Sequence, residues 1–311
     1  SDLLKTQIQD EVKIIRARPD VKVSKGFLSF DFVIKAWVQV RECDALVINL
    51  PQVEGFVPAF FGKLLGKKIV AIYHCEIDYP NKIVQGVVEA ANWLTLRLAR
   101  KIIVYTEDYA KASKLLAGFL DKTVYVYPPV PQPSGSLDVK KPKGQVWVGM
   151  AARLAVEKGF EYLIQALEHL DRNVMIVVAG PLDPVGEQNY KDQIMKLVEK
   201  YKDRVKFLGT VKPDQMGGFY KLIDVLVLPS VNSTEAFGIV QVEAMLCGVP
   251  VAASDLPGVR VPVSATGMGE IIPARNSEAI AVAVKKILKN RKRYVKKIDF
   301  PYERLFAEIL T

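Results

Sequence analysis

Short apolar runs alternate with longer stretches of helical periodicity, and this alternation predicts the main elements of the chain. Residues 1–26 are polar and charged and show little periodicity. Beyond them, continuous apolar runs predict buried strands at 45–49, 68–73, 101–105 and 123–127. Helical periodicity predicts helices at 27–40, 55–65, 83–100 and 107–117. Because fully apolar strands separated by helices are typical of parallel sheets covered on both faces, the pattern indicates an α/β unit.

The alternation stops at Pro128 and resumes near residue 145. The intervening PPVPQPSGSLDVKKPKG is rich in Pro, Gly, Ser and Lys, which predicts a linker. After it, strands are predicted at 145–150, 174–179, 205–208, 224–228 and 250–253. Helices are predicted at 158–170, 187–201, 213–221, 238–247 and 276–290. The chain is therefore expected to form two Rossmann-like α/β domains facing across a cleft, with ligands at the carboxyl ends of the strands.

This organisation gives four predicted regions. They are an N-terminal domain over 1–130, a linker over 131–144, a C-terminal domain over 145–290 and a last helix over 291–311. A chain of 311 residues, half of them hydrophobic and a quarter charged, has ample material for two such domains.

Cysteine and histidine are scarce, and this limits the available chemistry. The three cysteines, Cys43, Cys75 and Cys247, are odd in number and unpatterned, which argues against a disulfide framework and favours a cytoplasmic location. With only His74 and His169 beside them, a zinc site is not expected.

The net charge of +9 comes almost entirely from one segment. Residues 285–297 hold eight basic and no acidic residues. One interpretation is a solvated helix end, where lysines complement the dipole. The other is a surface for an anionic membrane, with the aromatic stretch 26–32 as a second patch, although that stretch fits a core better. Zinc-finger, RNP and basic-zipper signatures are absent from the sequence, so nucleic acid is not an expected partner.

The most informative chemistry lies at 229–250, PSVNSTEAFGIVQVEAMLCGVP, after a predicted strand. Glu235 and Glu243 are separated by seven residues, and a helix is predicted to begin near Gly238. The free N–H groups and dipole at such a helix start favour a phosphate or diphosphate. Alternatively, Glu235 is a helix-capping acid and Glu243 a surface residue.

The pattern E-x-F-G-[IL]-x-x-x-E-A-M-x-x-G-x-P-V resembles the signature of the GT-B-fold retaining glycosyltransferases of family 4, the glycogen-synthase-like group. The positions that match it are Glu235, Phe237, Gly238, Glu243, Ala244, Gly248, Pro250 and Val251. The segment GMAARLAVEKG at 149–159 is similar to the G-R-L-x-x-x-K-G of that family, with Ala152 in place of a glycine.

The resemblance implies roles for individual residues. Arg153 and Lys158 would meet the donor diphosphate and stabilise the leaving group. Glu235 would contact the donor sugar, and His74 would contact the same sugar from the N-terminal domain. The implied donor-binding residues are Gly180, Gly209, Thr210, Val211, Ala236, Phe237, Gly238, Ile239 and Glu243, the last at the ribose hydroxyls.

Without the resemblance, simpler interpretations remain open for the polar residues. Arg153 and Lys158 would lie in a solvated loop, and His74 would be a polar residue at a strand end. His169 is expected to be structural or solvated. Thr106 is expected to cap the helix that follows it.

The family implies transfer of a hexose, with retention of configuration, from a UDP- or GDP-linked donor to a sugar or lipid-linked acceptor. It implies no metal or other cofactor, and a last helix, 300–310, that packs back on the N-terminal domain. The first strand and Gly-rich loop of family members are not expected within this sequence, either because it omits the residues that form them or because the acceptor half is reduced. A GT-B-fold nucleotide-sugar epimerase, or a silent protein that binds nucleotide sugars, is the alternative.

Overall fold

The computed structural model of the chain describes residues 6–23, 26–79, 81–183, 187–296 and 298. These residues form two compact units. Unit 1 lies within residues 1–104 and 113–126, and unit 2 lies within 105–112 and 127–303. The segment 105–112 therefore belongs to unit 2, although both flanking stretches belong to unit 1.

Unit 1 begins with two antiparallel hairpins, where the sequence predicts no element before residue 27. The second hairpin reaches residue 28, so the helix predicted from residue 27 begins later, at Phe30. Strand β1 (Thr6–Gln9) pairs with β2 (Val12–Ile15), and β3 (Val21–Val23) pairs with β4 (Gly26–Leu28). Asp10 and Glu11 turn the first hairpin with positive φ. This turn lacks the Asn-Gly or Asp-Gly pair that marks many two-residue hairpins, so the sequence does not predict it.

The rest of unit 1 is a parallel sheet with the predicted alternation of helices. The helices are α1 (Phe30–Glu42), α2 (Phe56–Leu64) and α3 (Lys82–Leu98). The strands are β5 (Ala45–Leu50), β6 (Lys68–Tyr73), β7 (Lys101–Val104) and β8 (Thr123–Tyr125), adjacent in that order. Ser29 and Asn81 cap α1 and α3 by accepting backbone N–H groups of the first turn.

Unit 2 is a six-stranded parallel sheet. Its strands are β9 (Val146–Ala151), β10 (Val174–Ala179), β11 (Val205–Phe207), β12 (Val225–Leu228), β13 (Val251–Ser254) and β14 (Gly269–Ile272). Their order, β11-β10-β9-β12-β13-β14, is that of a doubly wound Rossmann sheet. In such sheets ligands bind where the strand order reverses, which here is the edge between β9 and β12.

Eight helices of unit 2 lie within the described residues. They are α4 (Glu107–Ala112), α5 (Phe160–Gln165), α6 (Gln188–Lys200), α7 (Met216–Leu222), α8 (Ile239–Leu246), α9 (Val261–Thr266), α10 (Ser277–Lys289) and α11 (Arg291–Tyr294). The sequence did not predict β14 or α9. Helix α5 is shorter than the predicted 158–170 because turns of 3-10 helix precede and follow it.

The Pro-rich segment predicted as a linker packs against unit 2. Leu137 and Val139 lie on its hydrophobic core, and the Gly217 N–H in α7 donates to the Ser134 carbonyl at 2.9 Å. Residues 131–144 are thus an extended part of this unit.

None of the helices within the described ranges is both long and apolar enough to cross a membrane. The predicted packing of residues 300–310 lies outside the described residues. Within the aromatic stretch 26–32, Phe30 is 79% exposed, so the core interpretation is wrong for this residue.

Candidate active site

The loops after β9, β10 and β11 meet at the carboxyl edge of the unit 2 sheet. The Gly180 N–H donates to the Gly209 carbonyl at 2.8 Å. A Cβ on Gly180, where φ is +151°, would lie 2.0 Å from the Ala152 carbonyl oxygen. Only glycine fits this approach. The edge is therefore built by backbone packing, and it includes two of the predicted donor-binding residues.

Helix α8 begins at the same edge, where the sequence places it. Gly238 caps it with φ of +76°, after the buried Phe237. Gln241 fixes this start, because its fully buried side chain donates to the carbonyls of Phe237 and Val259. The first-turn N–H groups of the helix are consequently held in place. Gln241 stands at a position that the family pattern leaves open, so the pattern does not identify it.

Lys158 and Glu235 form an ion pair beside this helix. Lys158 Nζ lies 2.6 Å from Glu235 Oε2, and the two side chains are 20% and 15% exposed. The two loops that carry them are also joined, because the Val231 N–H donates to the Glu157 carbonyl at 3.0 Å. A Cβ on Gly159 would lie 2.2 Å from the Pro229 carbonyl oxygen. The sequence predicted both charged residues as functional but not that they pair.

Arg153, the other predicted diphosphate ligand, pairs with Glu157. Its side chain is 53% exposed, which leaves the guanidinium accessible to solvent. Each of the two predicted cations therefore has a carboxylate partner in this structure. An incoming diphosphate would compete with these carboxylates for the cations.

Glu243 lines a pocket of about 380 Å³ in unit 2. The pocket is also lined by Pro131, Gln132, Pro133, Ser134, Val211, Pro213 and Met216. The Tyr220 hydroxyl donates to Glu243 Oε2 at 2.6 Å. Burial and the Glu243 charge raise the pKa of Tyr220 far above its ordinary value, so the phenol remains a donor at neutral pH. No sequence pattern indicates Tyr220, and the Pro-rich wall of this pocket is the segment predicted as a linker.

Helix α4 is hydrogen-bonded to two loops of unit 2, one that contains Ser233 and one that contains Gly258 and Arg260. Asp108 accepts bonds from Arg260 Nη2 at 2.7 Å and from Arg260 Nε and the Gly258 N–H at 2.9 Å each. Burial acts to raise the pKa of Asp108, but the bonds from Arg260 and Gly258 outweigh it and hold the pKa below its usual value. The Tyr109 hydroxyl donates to the Ser233 carbonyl at 2.8 Å, two residues before Glu235.

Thr106 accepts a bond from the Tyr109 N–H at 3.1 Å and caps α4 as predicted. The positioning contacts of α4 were not predicted, because they join residues more than 100 positions apart.

His74 belongs to unit 1 and follows β6. Its Nε2 donates to Asn49 Oδ1 at 2.8 Å, and its backbone N–H donates to the Leu50 carbonyl at 2.9 Å. Burial lowers the pKa of His74, so the imidazole is neutral near pH 7. A neutral, oriented imidazole can exchange hydrogen bonds with a sugar hydroxyl.

Part of the basic segment 285–297 is tied to unit 2. Lys286 pairs with Glu270 at 2.8 Å, and Arg291 pairs with Asp224 at 2.9 Å.

Within the described ranges, no group of three or more His, Cys, Asp and Glu side chains is arranged to hold a metal ion.

The two α/β units, with the strand order of unit 2 and the loops at its carboxyl edge, define a protein of the GT-B class. Residues 137–300, more than half of the chain, match the glycosyl transferases group 1 family, and the chain belongs to it. The fold class and the family expected from the sequence are thereby confirmed.

Individual relatives match parts of the chain. An uncharacterized glycosyltransferase of Methanocaldococcus jannaschii is 38% identical over 138 residues, which are 44% of this chain and 34% of that protein. The 2-deoxystreptamine N-acetyl-D-glucosaminyltransferase of Streptomyces fradiae is 27% identical over 261 residues, 76% of this chain and 60% of that protein. The chain thus spans less than two thirds of the length of these relatives.

The structure of HepE from Anabaena in complex with UDP has the same fold. It superimposes with a TM-score of 0.68 at 24% identity, covering 84% of this chain and 73% of HepE.

Proposed function

We propose that the protein is a retaining glycosyltransferase that moves a hexose from a UDP- or GDP-linked donor to a sugar or lipid-linked acceptor. The observation that carries this proposal is the Lys158–Glu235 pair beside the start of α8. A cation and a carboxylate there suit a donor that has an anionic diphosphate and a hydroxyl-rich sugar. The family of the chain and the UDP in the HepE complex support the same donor class.

In the proposed reaction, the bond between the sugar C1 and the diphosphate oxygen breaks. The acceptor hydroxyl forms a new bond to C1 and passes its proton to an oxygen of the leaving diphosphate. Negative charge accumulates on the leaving diphosphate, which Lys158, Arg153 and the first N–H groups of α8 stabilise. This distribution of charge requires no metal or other cofactor.

Other residues position the donor in this proposal. Glu243, oriented by the Tyr220 hydroxyl, accepts hydrogen bonds from the ribose hydroxyls. Glu235 turns from Lys158 to the hydroxyls of the donor sugar once the diphosphate engages the lysine. His74 contributes a hydrogen bond to the same sugar.

The basic segment 285–297 supports a proposed contact with an anionic membrane, which would suit a lipid-linked acceptor. Since Lys286, Arg291 and Lys296 have partners within unit 2, the remaining basic side chains would make this contact. The cytoplasmic location expected from the cysteines stays a prediction.

The test compares Lys158→Gln with Lys200→Gln. Lys200 also lies 2.6 Å from a carboxylate, Glu168, but this pair is exposed. Lys200 is the last residue of α6, which leads into the amino end of β11 and not to the carboxyl edge of the sheet. UDP-glucose, UDP-N-acetylglucosamine and GDP-mannose are offered to each protein, and both nucleotide release and the unfolding midpoint are measured.

One nucleotide sugar is expected to raise the stability of the wild type, by about 2.7 kcal/mol at a hundredfold excess over its Kd. Lys158→Gln should slow nucleotide release at least about 100-fold, as removal of one transition-state donor does. Lys200→Gln should remain within twofold of the wild type. Equal rates for the two variants would refute the diphosphate assignment, and binding without any release would favour a silent nucleotide-sugar-binding protein.

A further inference from the structure

Helices α1, α2 and α3 of unit 1 form a layer, and large apolar side chains cover its outer surface. Helix α2 packs between α1 and α3, and the Trp37 and Phe61 rings meet edge to face at 5.0 Å between α1 and α2. The exposed apolar side chains are Phe30, Val33, Ile34 and Val38 on α1, Phe60 and Leu64 on α2, and Ile83, Val87, Trp93 and Leu94 on α3.

Helix α3 shows that these positions form a regular second face. Ile83, Val87 and Leu94 recur at intervals of four and seven residues, which places them on one side of a helix. They are 79%, 56% and 38% exposed. Val88 and Leu96 are buried on the side that faces the sheet. The helix is therefore apolar toward solvent as well as toward the core.

Unit 2 has no comparable surface within the described residues. Its exposed large apolar side chains there lie on separate elements, such as Met195 on α6 and Val282 on α10. Single exposed apolar residues of this kind are ordinary, whereas contiguous patches of more than a few hundred Å² mark surfaces that bind a protein or a membrane. The helical layer α1–α3 is accordingly a candidate interaction surface.

Basic residues border this layer along one edge. Each helix has one basic residue in its last turn, Arg41 in α1, Lys63 in α2 and Arg97 in α3. Because each helix leads into the amino end of a strand of the same parallel sheet, the three helix ends lie at one edge. Lys67 Nζ donates to the Arg41 carbonyl at 3.4 Å, in agreement with neighbouring ends of α1 and α2.

The charge at this edge selects the kind of partner. Together, the segments 41–44, 63–68 and 97–101 hold seven basic and two acidic residues. The Arg97 guanidinium lies 5.5 Å from the centre of the exposed Trp93 ring. A tryptophan beside a cation, at the border of an apolar surface, is typical of contact with lipid head groups. The surplus of cations matches an anionic leaflet.

We propose that the outer surface of the α1–α3 layer binds an anionic membrane. The apolar side chains enter the boundary between head groups and acyl chains, and the basic edge lies at the anionic head groups. This surface belongs to unit 1 and is separate from the basic segment 285–297. Binding to lipid does not depend on the proposed reaction, whereas delivery of a lipid-linked acceptor to unit 1 rests on the proposed function.

A second copy of the chain suits this surface less well. Its own layer would bring the same surplus of cations, and only three acidic residues lie on the helices of the layer. Two of these are already bound, because Asp31 pairs with Lys35 at 2.6 Å and Glu89 accepts a bond from Gln85. Self-association through the layer is therefore a separate outcome of the test.

The experiment is flotation of the full chain with lipid vesicles in the absence of a donor. Vesicles of phosphatidylcholine alone are compared with vesicles that contain about 30% phosphatidylglycerol, an anionic lipid. The chain should bind the anionic vesicles at least about tenfold more strongly, since each cation near a charged leaflet contributes about fivefold. Added salt should weaken this excess. Absence of binding, or equal binding to both vesicles, would overturn the proposal.

Apolar substitutions then locate the contact. Ile34→Ser, Leu64→Ser and Leu94→Ser should each weaken binding to anionic vesicles about threefold, and the triple variant about 30-fold. Met195→Ser is the matched control, because Met195 is 38% exposed, as is Leu94, but lies on α6 of unit 2. This control should stay within about twofold of the wild type. Equal losses in Met195→Ser and Leu94→Ser would contradict the assignment.

Substitutions of cations separate the layer from the basic segment 285–297. Lys63→Gln should weaken binding to anionic vesicles about fivefold and leave binding to phosphatidylcholine unchanged. Lys292→Gln removes an exposed cation of the basic segment. If Lys292→Gln abolishes vesicle binding while Lys63→Gln and the triple variant bind as the wild type does, the basic segment alone makes the contact and the proposal is wrong.

Two further measurements complete the test. Urea midpoints show whether each variant remains folded. Sedimentation without vesicles detects self-association, and a dimer that Leu64→Ser dissociates, together with no vesicle binding, would assign the layer to a second copy. A chain that binds anionic vesicles through the layer but releases no nucleotide from any donor keeps this surface and loses the proposed function. A chain that turns over a donor without binding vesicles does the reverse.

Discussion

Replacing Asp108 by Asn tests whether charge holds helix α4 to the rest of unit 2. Asp108 accepts two bonds from Arg260 and one from the Gly258 N–H, at 2.7–2.9 Å. Asparagine has nearly the same shape but loses the charge and one acceptor. Hydrogen bonds to charged groups contribute about 1.5–3 kcal/mol each when buried. Because the two side chains are 30% and 36% exposed, solvent screening should reduce the total loss to about 1–2 kcal/mol.

The assay is urea unfolding of the full chain, and Glu107→Gln is its control. Glu107 is the neighbouring carboxylate on α4 and pairs with Lys111 at 2.7 Å, but these side chains are 56% and 63% exposed. Its replacement should therefore cost no more than about 0.5 kcal/mol. A double-mutant cycle with Arg260→Gln should recover most of the Asp108→Asn loss as coupling energy.

The pH dependence gives a second criterion. Because Asp108 has a folded-state pKa below its ordinary value, its contribution is fully present above about pH 3.9, the unfolded value. The contribution is lost as the pH falls through the folded-state value, so the wild type and Asp108→Asn should converge in acid. The reasoning is refuted if Asp108→Asn costs no more than Glu107→Gln at pH 7, or if their difference does not shrink in acid.

Two further substitution experiments and one titration have defined outcomes. Gly159 and Gly66 share a φ of +67°, but only a Cβ on Gly159 would meet a carbonyl oxygen, that of Pro229. In urea unfolding, Gly159→Ala should therefore lose about 3 kcal/mol of stability and Gly66→Ala about 1 kcal/mol. Equal losses would contradict the close approach. The His74 imidazole should titrate below about pH 6.5 when followed by NMR, because burial lowers its pKa. Its contribution to stability is present above that pH and is lost as the pH falls through the folded-state pKa. A titration midpoint at or above 6.5 would contradict its burial. Tyr220→Phe should cost about 1–2 kcal/mol because Glu243 loses its donor, and an unchanged urea midpoint would exclude this.

The sequence predicted the parallel sheets well because their strands are continuous apolar runs. Strands β6 and β10 have the predicted bounds, 68–73 and 174–179. The sequence missed β14, whose four residues, GEII, include a charged side chain and are only partly buried. It missed α9 because that helix has six residues and Pro262 in its first turn. Short elements of this kind carry too few periods to be recognised, and tertiary contacts decide their structure.

The candidate site was predicted residue by residue but not as a set of contacts. The family pattern identified Glu235 and Glu243, whereas their partners Lys158 and Tyr220 lie 77 and 23 residues away. Such pairings depend on how the loops of different strands meet at the sheet edge. No spacing rule within one element contains that information.

The backbone, rather than the charged side chains, sets the geometry of this edge. Gly159 and Gly180 each approach a carbonyl oxygen so closely that a Cβ would lie 2.2 Å and 2.0 Å from it. Gly159 directly follows Lys158, and its carbonyl neighbour, Pro229, begins the loop that leads to Glu235. Neutral variants of Lys158 or Glu235 should therefore change the charge of the site while the loops keep their positions. A loss of turnover in those variants, with the urea midpoint lowered only slightly, would then report the chemistry of the two groups and not a displaced loop.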